Sequence, residues 1–192
     1  MHLAARKAVP ESVRNPLHYY RENIDGLLGV LEAMNSTGVR QMVFASSAAV
    51  YGAAGEGPVS EDAPLRPVNP YGETKLMCER IIGDAAHAHA LAAVCLRYFN
   101  VAGAASPVLR DSGPGGLVAV SAQALWQDRP VTVNGNDHKT VDGTCVRDYI
   151  HVEDLAEGHA LIADALAAGV YDRGSVLSIT SPPVRGLRCL RF

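Results

Sequence analysis

The 192-residue sequence lacks a long apolar run and a strong excess of either charge. Its apolar runs are too short to span a bilayer, and the N-terminus MHLAARKAV has neither the apolar core nor the cleavage site of a signal peptide. A net charge of −3 gives no reason to expect nucleic acid as a partner. These absences favour a soluble, cytoplasmic protein, long enough to bury one core.

The sequence also lacks the paired cysteine spacings of disulfide frameworks and zinc sites. His87 and His89 alternate along the chain instead of lying one helical turn apart, and no cysteine pair accompanies them. We therefore expect reduced thiols and no metal site. The four cysteines are Cys78, Cys95, Cys145 and Cys189.

What the sequence does contain is an alternation of amphipathic helices with short apolar strands. Two long helices are each opened by an Asn cap and a Pro at the first helical position, and Gly38 ends the first of them. Alternation of this kind predicts an α/β fold with parallel strands, which holds ligands at the carboxyl ends of the strands. The opening pairs are Asn15-Pro16 and Asn69-Pro70, and the following strands are Gln41–Ala45 and Ala92–Tyr98.

The second half of the chain is patterned less clearly. A helix is predicted from Leu117 to Gln127, and the backbone N–H groups at its start would form an anion site. We expect a short strand from Pro130 to Asn134 and no clear element after Tyr171. A last amphipathic helix is marked by Leu155, Leu161, Ile162 and Leu166.

The chemistry is concentrated between Phe44 and Lys75. Ser46 and Ser47 end an apolar strand, and Tyr71 and Lys75 stand one turn apart at the start of a helix. A phenol with a pKa near ~10 is a poor base at neutral pH, but a nearby ammonium favours the phenolate. This arrangement predicts removal of a proton from an alcohol. Because no side chain accepts the accompanying hydride, a nicotinamide is implied.

Each of these residues also has a purely structural interpretation. Tyr71 and Lys75 would then simply begin a surface helix. Taken alone, Lys7 is better explained as a solvated lysine and Asn23 as a helix-face asparagine. Arg147 lies between an apolar segment and a helix start, where a surface ion pair and phosphate binding are equally good explanations.

Four strings in the sequence resemble one family. SSAAVYG, NPYGETK, LRYFNVAGA and DGTCVRDYIHVEDLAEGH are similar to motifs of the extended short-chain dehydrogenases/reductases, and within them of the UDP-glucose 4-epimerases. The resemblance covers about residues 2–170. It implies a partial Rossmann-type, doubly wound parallel sheet, bound NAD, a UDP-hexose substrate and inversion at C4 of the sugar through a 4-keto intermediate.

The resemblance also implies roles for individual residues. Tyr71 would be the base, Lys75 would bind the nicotinamide ribose, and Ser47 would hold the sugar oxygen. Further contacts to NAD would come from Lys7, Asn23 and Tyr98. Those to the substrate would come from Asn100, Leu117 and Arg147. A homodimer would form through the helices that open at Pro16 and Pro70.

The resemblance implies an incomplete NAD-binding domain over residues 1–110, part of a substrate-binding region over 111–145, and a return to the first domain over 146–170. Residues 171–192 stay unassigned. No Gly-rich phosphate loop follows a strand, Gly115 and Gly116 replace a pair that is usually asparagine-rich, and Asn134 stands where an aromatic residue often stacks on uracil. We therefore expect a fragment with weak activity.

Two alternatives remain open. One is a non-catalytic remnant that pairs with a full-length subunit. The other is an epimerase or dehydratase acting on another nucleotide sugar. A dehydratase would need an acidic pair near Ser47, and Ala48 and Ala49 supply none.

Overall fold

The computed structural model describes residues 1–53, 59–110, 116–133, 135, 137–138, 140–145, 147–172 and 176–180, the last range as backbone. The chain divides into two compact units. The first comprises Met1–Tyr98 and resumes at Gly158, and the second comprises Phe99–Glu157. None of the helices in the described ranges combines the length and hydropathy needed to cross a membrane.

The first unit contains a parallel sheet of three strands in the order β1-β2-β5. β1 spans Gln41–Ala45, β2 spans Ala92–Arg97 and β5 spans Val176–Thr180. Phe44 pairs with Cys95, which in turn pairs with Ser178. β1 and β2 lie where the sequence predicts them. β5 was not predicted, since no clear element was expected after Tyr171.

Helices cover both faces of this sheet. Alternate strand residues pack on α3 (Gly26–Thr37) and α4 (Pro70–His89), and the intervening ones pack on the C-terminal part of α6 (Val152–Ala167). The first set comprises Met42, Phe44, Ala93 and Cys95 with Leu27 and Ile82. The second comprises Val43, Ala92, Val94 and Leu96 with Ile162 and Leu166. Burial on both faces explains why the strands are continuously apolar.

The first predicted helix is interrupted. α1 (Val9–Arg14) and α2 (Pro16–Tyr20) lead into a π-helical turn, Arg21–Asp25, and only then into α3. The predicted Asn15 cap is wrong, since its side chain makes no capping hydrogen bond. Gly38, with φ of +77°, does end the helix. Asn69 does cap α4, where its side chain accepts a hydrogen bond from the Gly72 N–H at 2.9 Å.

The N-terminal segment touches the outer side of β1 at one residue. The His2 N–H donates to the Val43 carbonyl at 2.8 Å, and the His2 carbonyl accepts from the Ala45 N–H at 3.1 Å. The neighbouring Leu3 is 60% exposed, and the pairing is an isolated bridge at His2.

The second unit contains a two-stranded parallel sheet, β3 (Asn100–Ala102) with β4 (Tyr149–His151), and α5 (Leu117–Trp126). The strand predicted from Pro130 is wrong, because residues 130–133 are irregular and pair with no strand among the described residues. Asn134, at the end of that prediction, lies outside the described residues. In α6, Ile162 and Leu166 pack on the sheet, but Leu161, which was predicted to lie on the same apolar face, is 62% exposed.

Candidate functional site

The structure brings Ser47 and Tyr71 together in the first unit. Ser47 follows β1 and caps a 3₁₀ turn, Ala48–Tyr51, where its hydroxyl accepts a hydrogen bond from the Ala49 N–H at 3.2 Å. Tyr71 is the second residue of α4. Burial raises the pKa of the Tyr71 phenol, while a hydrogen bond with the Ser47 side chain lowers it. The net direction is upward.

Gly72 makes this approach possible. A Cβ at Gly72 would lie 2.7 Å from the Ala49 carbonyl oxygen, closer than a real side chain can come. Only glycine therefore lets the first turn of α4 press against the 3₁₀ turn that Ser47 caps. No structural or functional role was predicted for Gly72 from the sequence.

Lys75 is buried beneath the end of β1, only 4% exposed. Its ammonium donates a hydrogen bond to the Ala45 carbonyl at 2.7 Å and lies 4.8 Å from the centre of the Phe44 ring. Burial lowers the pKa of Lys75 to about 8, opposed by Cys78, Cys95 and Glu79. The sequence predicts that Lys75 acidifies Tyr71. In the structure the resolved influences on the Tyr71 pKa are burial and Ser47, and Lys75 is directed at the backbone of β1 instead.

Tyr98, the residue after β2, also faces this region. Burial, and then the nearby Tyr71, raise the pKa of Tyr98 to about 12. Its ring meets the His159 ring edge-on, with centroids 6.0 Å apart. The carbonyl of Tyr98 accepts a hydrogen bond from the Ala48 N–H at 3.0 Å, which joins the ends of β1 and β2.

Asn23 lies in the π-helical turn and is 4% exposed, so it is not the helix-face asparagine of the structural interpretation. Its amide accepts from the Arg6 N–H at 2.7 Å and donates to the Arg6 carbonyl at 3.1 Å and to the Thr74 hydroxyl at 3.0 Å. Asn23 thus ties the backbone before Lys7 to α4. Lys7 itself is exposed.

Three further predicted site residues belong to the second unit. Asn100 starts β3, and its side-chain amide donates to the Asp148 carbonyl at 3.0 Å, next to the exposed Arg147. Leu117 is the first residue of α5 and is 49% exposed. Gly116 precedes that helix in an extended conformation, whereas Gly115 lies outside the described residues.

A buried ion pair that was not predicted from the sequence lies beside Lys75. Glu79, one turn further along α4, binds Arg97 at the end of β2 with an N–O distance of 2.6 Å. An arginine inside the apolar string AAVCLRY was the available signal, since a buried cation needs a buried partner.

Metal ligands are not assembled in the described part of the chain, where no group of three or more His, Cys, Asp or Glu side chains could hold an ion. Cys78 and Cys95 are buried free thiols and Cys145 is an exposed one, while Cys189 lies outside the described residues.

Comparison with known proteins gives a consistent result. A family model described as the NAD dependent epimerase/dehydratase family matches residues 1–175. The chain is 49% identical over 170 residues to the UDP-glucose 4-epimerase of Azospirillum brasilense, covering 84% of this chain and 47% of that protein. It is 47% identical over 165 residues to the enzyme of that name from Lactobacillus helveticus, covering 84% and 50%. The chain spans about half the length of the curated relatives it matches.

Solved structures agree. A UDP-glucose 4-epimerase from Bifidobacterium longum in complex with NAD+ and UDP has a TM-score of 0.83 and 38% identity, covering 98% of this chain and 57% of that one. One from Brucella ovis in complex with NAD has a TM-score of 0.84 and 39% identity, covering 98% and 58%. These likenesses confirm the Rossmann-type α/β fold class predicted from the sequence.

Proposed function

This chain belongs to the NAD dependent epimerase/dehydratase family, and from that premise we propose that it carries the catalytic segment of a UDP-hexose 4-epimerase that uses NAD. The observation that carries the proposal is the placement of Ser47, Tyr71 and Lys75 at the carboxyl end of β1, in a chain related to UDP-glucose 4-epimerases. Binding sites of open parallel sheets are expected at this end.

The nicotinamide-ribose end of NAD fits these residues. An ammonium has three N–H donors, and Lys75 uses one of them on the Ala45 carbonyl, so two remain for the ribose hydroxyls in this proposal. Lys7, Asn23 and Tyr98 are the further proposed contacts.

The proposed chemistry is a proton transfer coupled to a hydride transfer. Tyr71 removes the proton of the sugar 4-hydroxyl as the C4–H bond breaks, which leaves a 4-keto sugar. NAD, when bound, supplies the two-electron acceptor that takes the hydride from C4 and returns it. After the keto sugar has turned over, Tyr71 gives the proton back to the sugar oxygen while the hydride re-forms a C–H bond on the opposite face.

Ser47 has two tasks in this scheme. Its hydroxyl holds the sugar oxygen and also lowers the pKa of Tyr71 against the effect of burial. Because oxidation needs the phenolate and the pKa of Tyr71 is raised overall, turnover is expected to increase from pH 7 towards pH 9. In the second unit, Asn100 and Arg147 are proposed contacts of the sugar diphosphate, and Leu117 is a further proposed contact of the substrate.

The test is the conversion of UDP-galactose to UDP-glucose at saturating NAD, measured by nuclear magnetic resonance of the sugar protons. Tyr71→Phe should reduce the rate by at least about a hundredfold, the usual contribution of a positioned acid-base group. Tyr20→Phe, the same change on α2, is the matched control. Undiminished turnover by Tyr71→Phe would contradict the proposal, as would failure of the unmodified chain to bind NAD and to convert the sugar.

We also propose a homodimer through the helices that open at Pro16 and Pro70. Leu17 on α2 is 79% exposed and Leu28 on α3 is 39% exposed, which is apolar surface of the kind that subunit interfaces cover. Sedimentation equilibrium should show a dimer that Leu17→Asp dissociates. A monomer at every concentration would refute this assembly.

A further inference from the structure

The buried ion pair of Glu79 and Arg97 has no role in the chemistry proposed above. Both side chains are 6% exposed. Arg97 binds the carboxylate through Nε at 3.0 Å and 3.2 Å and through Nη2 at 2.6 Å, a forked geometry. Replacing a buried ion pair by apolar residues often costs a protein little, so stability alone is a weak reason to have one.

The pair connects several segments at the carboxyl end of the sheet. Glu79 accepts a hydrogen bond from the Ser46 hydroxyl. Arg97 Nη1 donates to the Tyr51 hydroxyl at 3.0 Å and to the Glu61 carbonyl at 3.3 Å. The pair thereby joins α4 and β2 to the strand end before Ser47, to the 3₁₀ turn after it and to the loop that follows.

Ser47 lies inside a short backbone stretch that is held at three successive points. Lys75 binds the carbonyl of Ala45, Glu79 binds the side chain of Ser46, and the carbonyl of Tyr98 binds the N–H of Ala48. Of these three holds, the one at Ser46 directly precedes Ser47. The carboxylate that binds Ser46 is itself bound by Arg97.

We propose that Glu79, held by Arg97, is a positioning residue that fixes Ser47 against Tyr71 through Ser46 and supplies the negative charge that faces Lys75. The inference deepens the proposed function, since it rests on Ser47, Tyr71 and Lys75 forming the catalytic site. Glu79 touches none of the reacting atoms and acts through its neighbours.

Among the described residues, four titratable groups face Lys75 from the elements around it. They are Cys78 and Glu79 on α4, Cys95 on β2 and His2 in the N-terminal segment. Burial raises the pKa of Cys78 to about 11 and that of Cys95 further still, so both thiols are neutral at pH 7 to 9. Glu79 is the carboxylate among these groups, and it is paired with Arg97.

The first test asks whether Ser46 transmits the position of Glu79. Ser46→Ala removes the link and keeps the ion pair. Amide hydrogen exchange at Ala48 and Ala49 should then become roughly tenfold faster or more, relative to exchange at Val94 within β2, because a hydrogen bond to a charged group is lost. Ser36→Ala, the same change at an exposed site on α3, should leave these rates unchanged.

The second test asks whether Glu79 acts on Lys75 by charge. The chain has three lysines, so the ¹³Cε signal of Lys75 can be assigned and titrated. Glu79→Gln keeps the acceptor for Ser46 but removes the charge, and it should shift the titration midpoint of Lys75 to lower pH. Ser46→Ala should not shift it, which separates charge from position and still gives a result if Glu79→Gln does not fold.

Unchanged exchange at Ala48 and Ala49 in Ser46→Ala would overturn the positioning role, and an unchanged Lys75 midpoint in folded Glu79→Gln would overturn the electrostatic role. Neither measurement needs turnover. A chain that shows both effects but neither binds NAD nor converts the sugar would contradict the proposed function, while the measured positioning and electrostatic roles of Glu79 would stand.

Discussion

Lys75 is expected to give the folded protein an unusual dependence on alkaline pH. Its side chain is 4% exposed, and burial lowers its pKa from 10.5 to about 8. Below pH 8 the lysine is protonated in both the folded and the unfolded chain, and the buried charge lowers stability. Between pH 8 and 10.5 the unfolded chain binds the extra proton, so the free energy of unfolding rises with pH.

The magnitude follows from the size of the pKa change. At about 1.36 kcal/mol per unit, a fall from 10.5 to about 8 corresponds to about 3 kcal/mol across the whole range. Between pH 7 and pH 9.5 the linkage relation gives about 2 kcal/mol of this. Lys75→Met removes the titrating group at similar volume, and it also removes the hydrogen bond to the Ala45 carbonyl. The loss of this hydrogen bond shifts the unfolding free energy of Lys75→Met by the same amount at every pH.

The assay is urea unfolding of the unmodified chain and of Lys75→Met at several values between pH 7 and pH 9.5. The difference in unfolding free energy should change by about 2 kcal/mol in favour of the unmodified chain as the pH rises. Lys7→Met, at an exposed lysine, should show no such trend. A flat difference for Lys75→Met, or one that moves the opposite way, would refute the argument that Lys75 is a desolvated cation in the folded state.

Three other changes test local packing and backbone conformation. Gly72→Ala should lower the free energy of unfolding in urea by about 1–3 kcal/mol, because the new Cβ would lie 2.7 Å from the Ala49 carbonyl oxygen. Gly83→Ala is the control, since a Cβ at Gly83 would have no atom within 4 Å. Asn23→Ala should lower the free energy of unfolding by about 2–4 kcal/mol in the same assay, since it leaves the Arg6 backbone N–H and carbonyl without their side-chain partner. A loss of less than about 1 kcal/mol would contradict this prediction. Gly103→Ala should lower the midpoint of thermal unfolding by several degrees, because φ at Gly103 is +93° and a Cβ there would lie 2.1 Å from His151 Nε2. An unchanged midpoint would contradict this prediction.

The stretch from Phe44 to Lys75 shows which features of a fold can be predicted from neighbouring residues in the sequence. Asn69 and Pro70 define the start of α4 through capping and a fixed backbone angle, so Tyr71 and Lys75 could be placed on one turn without coordinates. The strand Gln41–Ala45 was equally clear, because five apolar or neutral residues between a helix-ending glycine and two serines leave few other possibilities. Each of these predictions depends on neighbours within a few residues.

What the sequence by itself determined is therefore the start of α4, the strands β1 and β2, the family, and the residue types that reach the carboxyl end of β1. Only the tertiary structure decided where Lys75 points, that Asn23 is buried against Arg6 and Thr74, and that Glu79 and Arg97 meet. The reason is physical. Helix caps and periodicity arise from contacts between residues close in sequence, whereas burial, pKa shifts and ion pairs depend on which distant segments exclude water from a side chain.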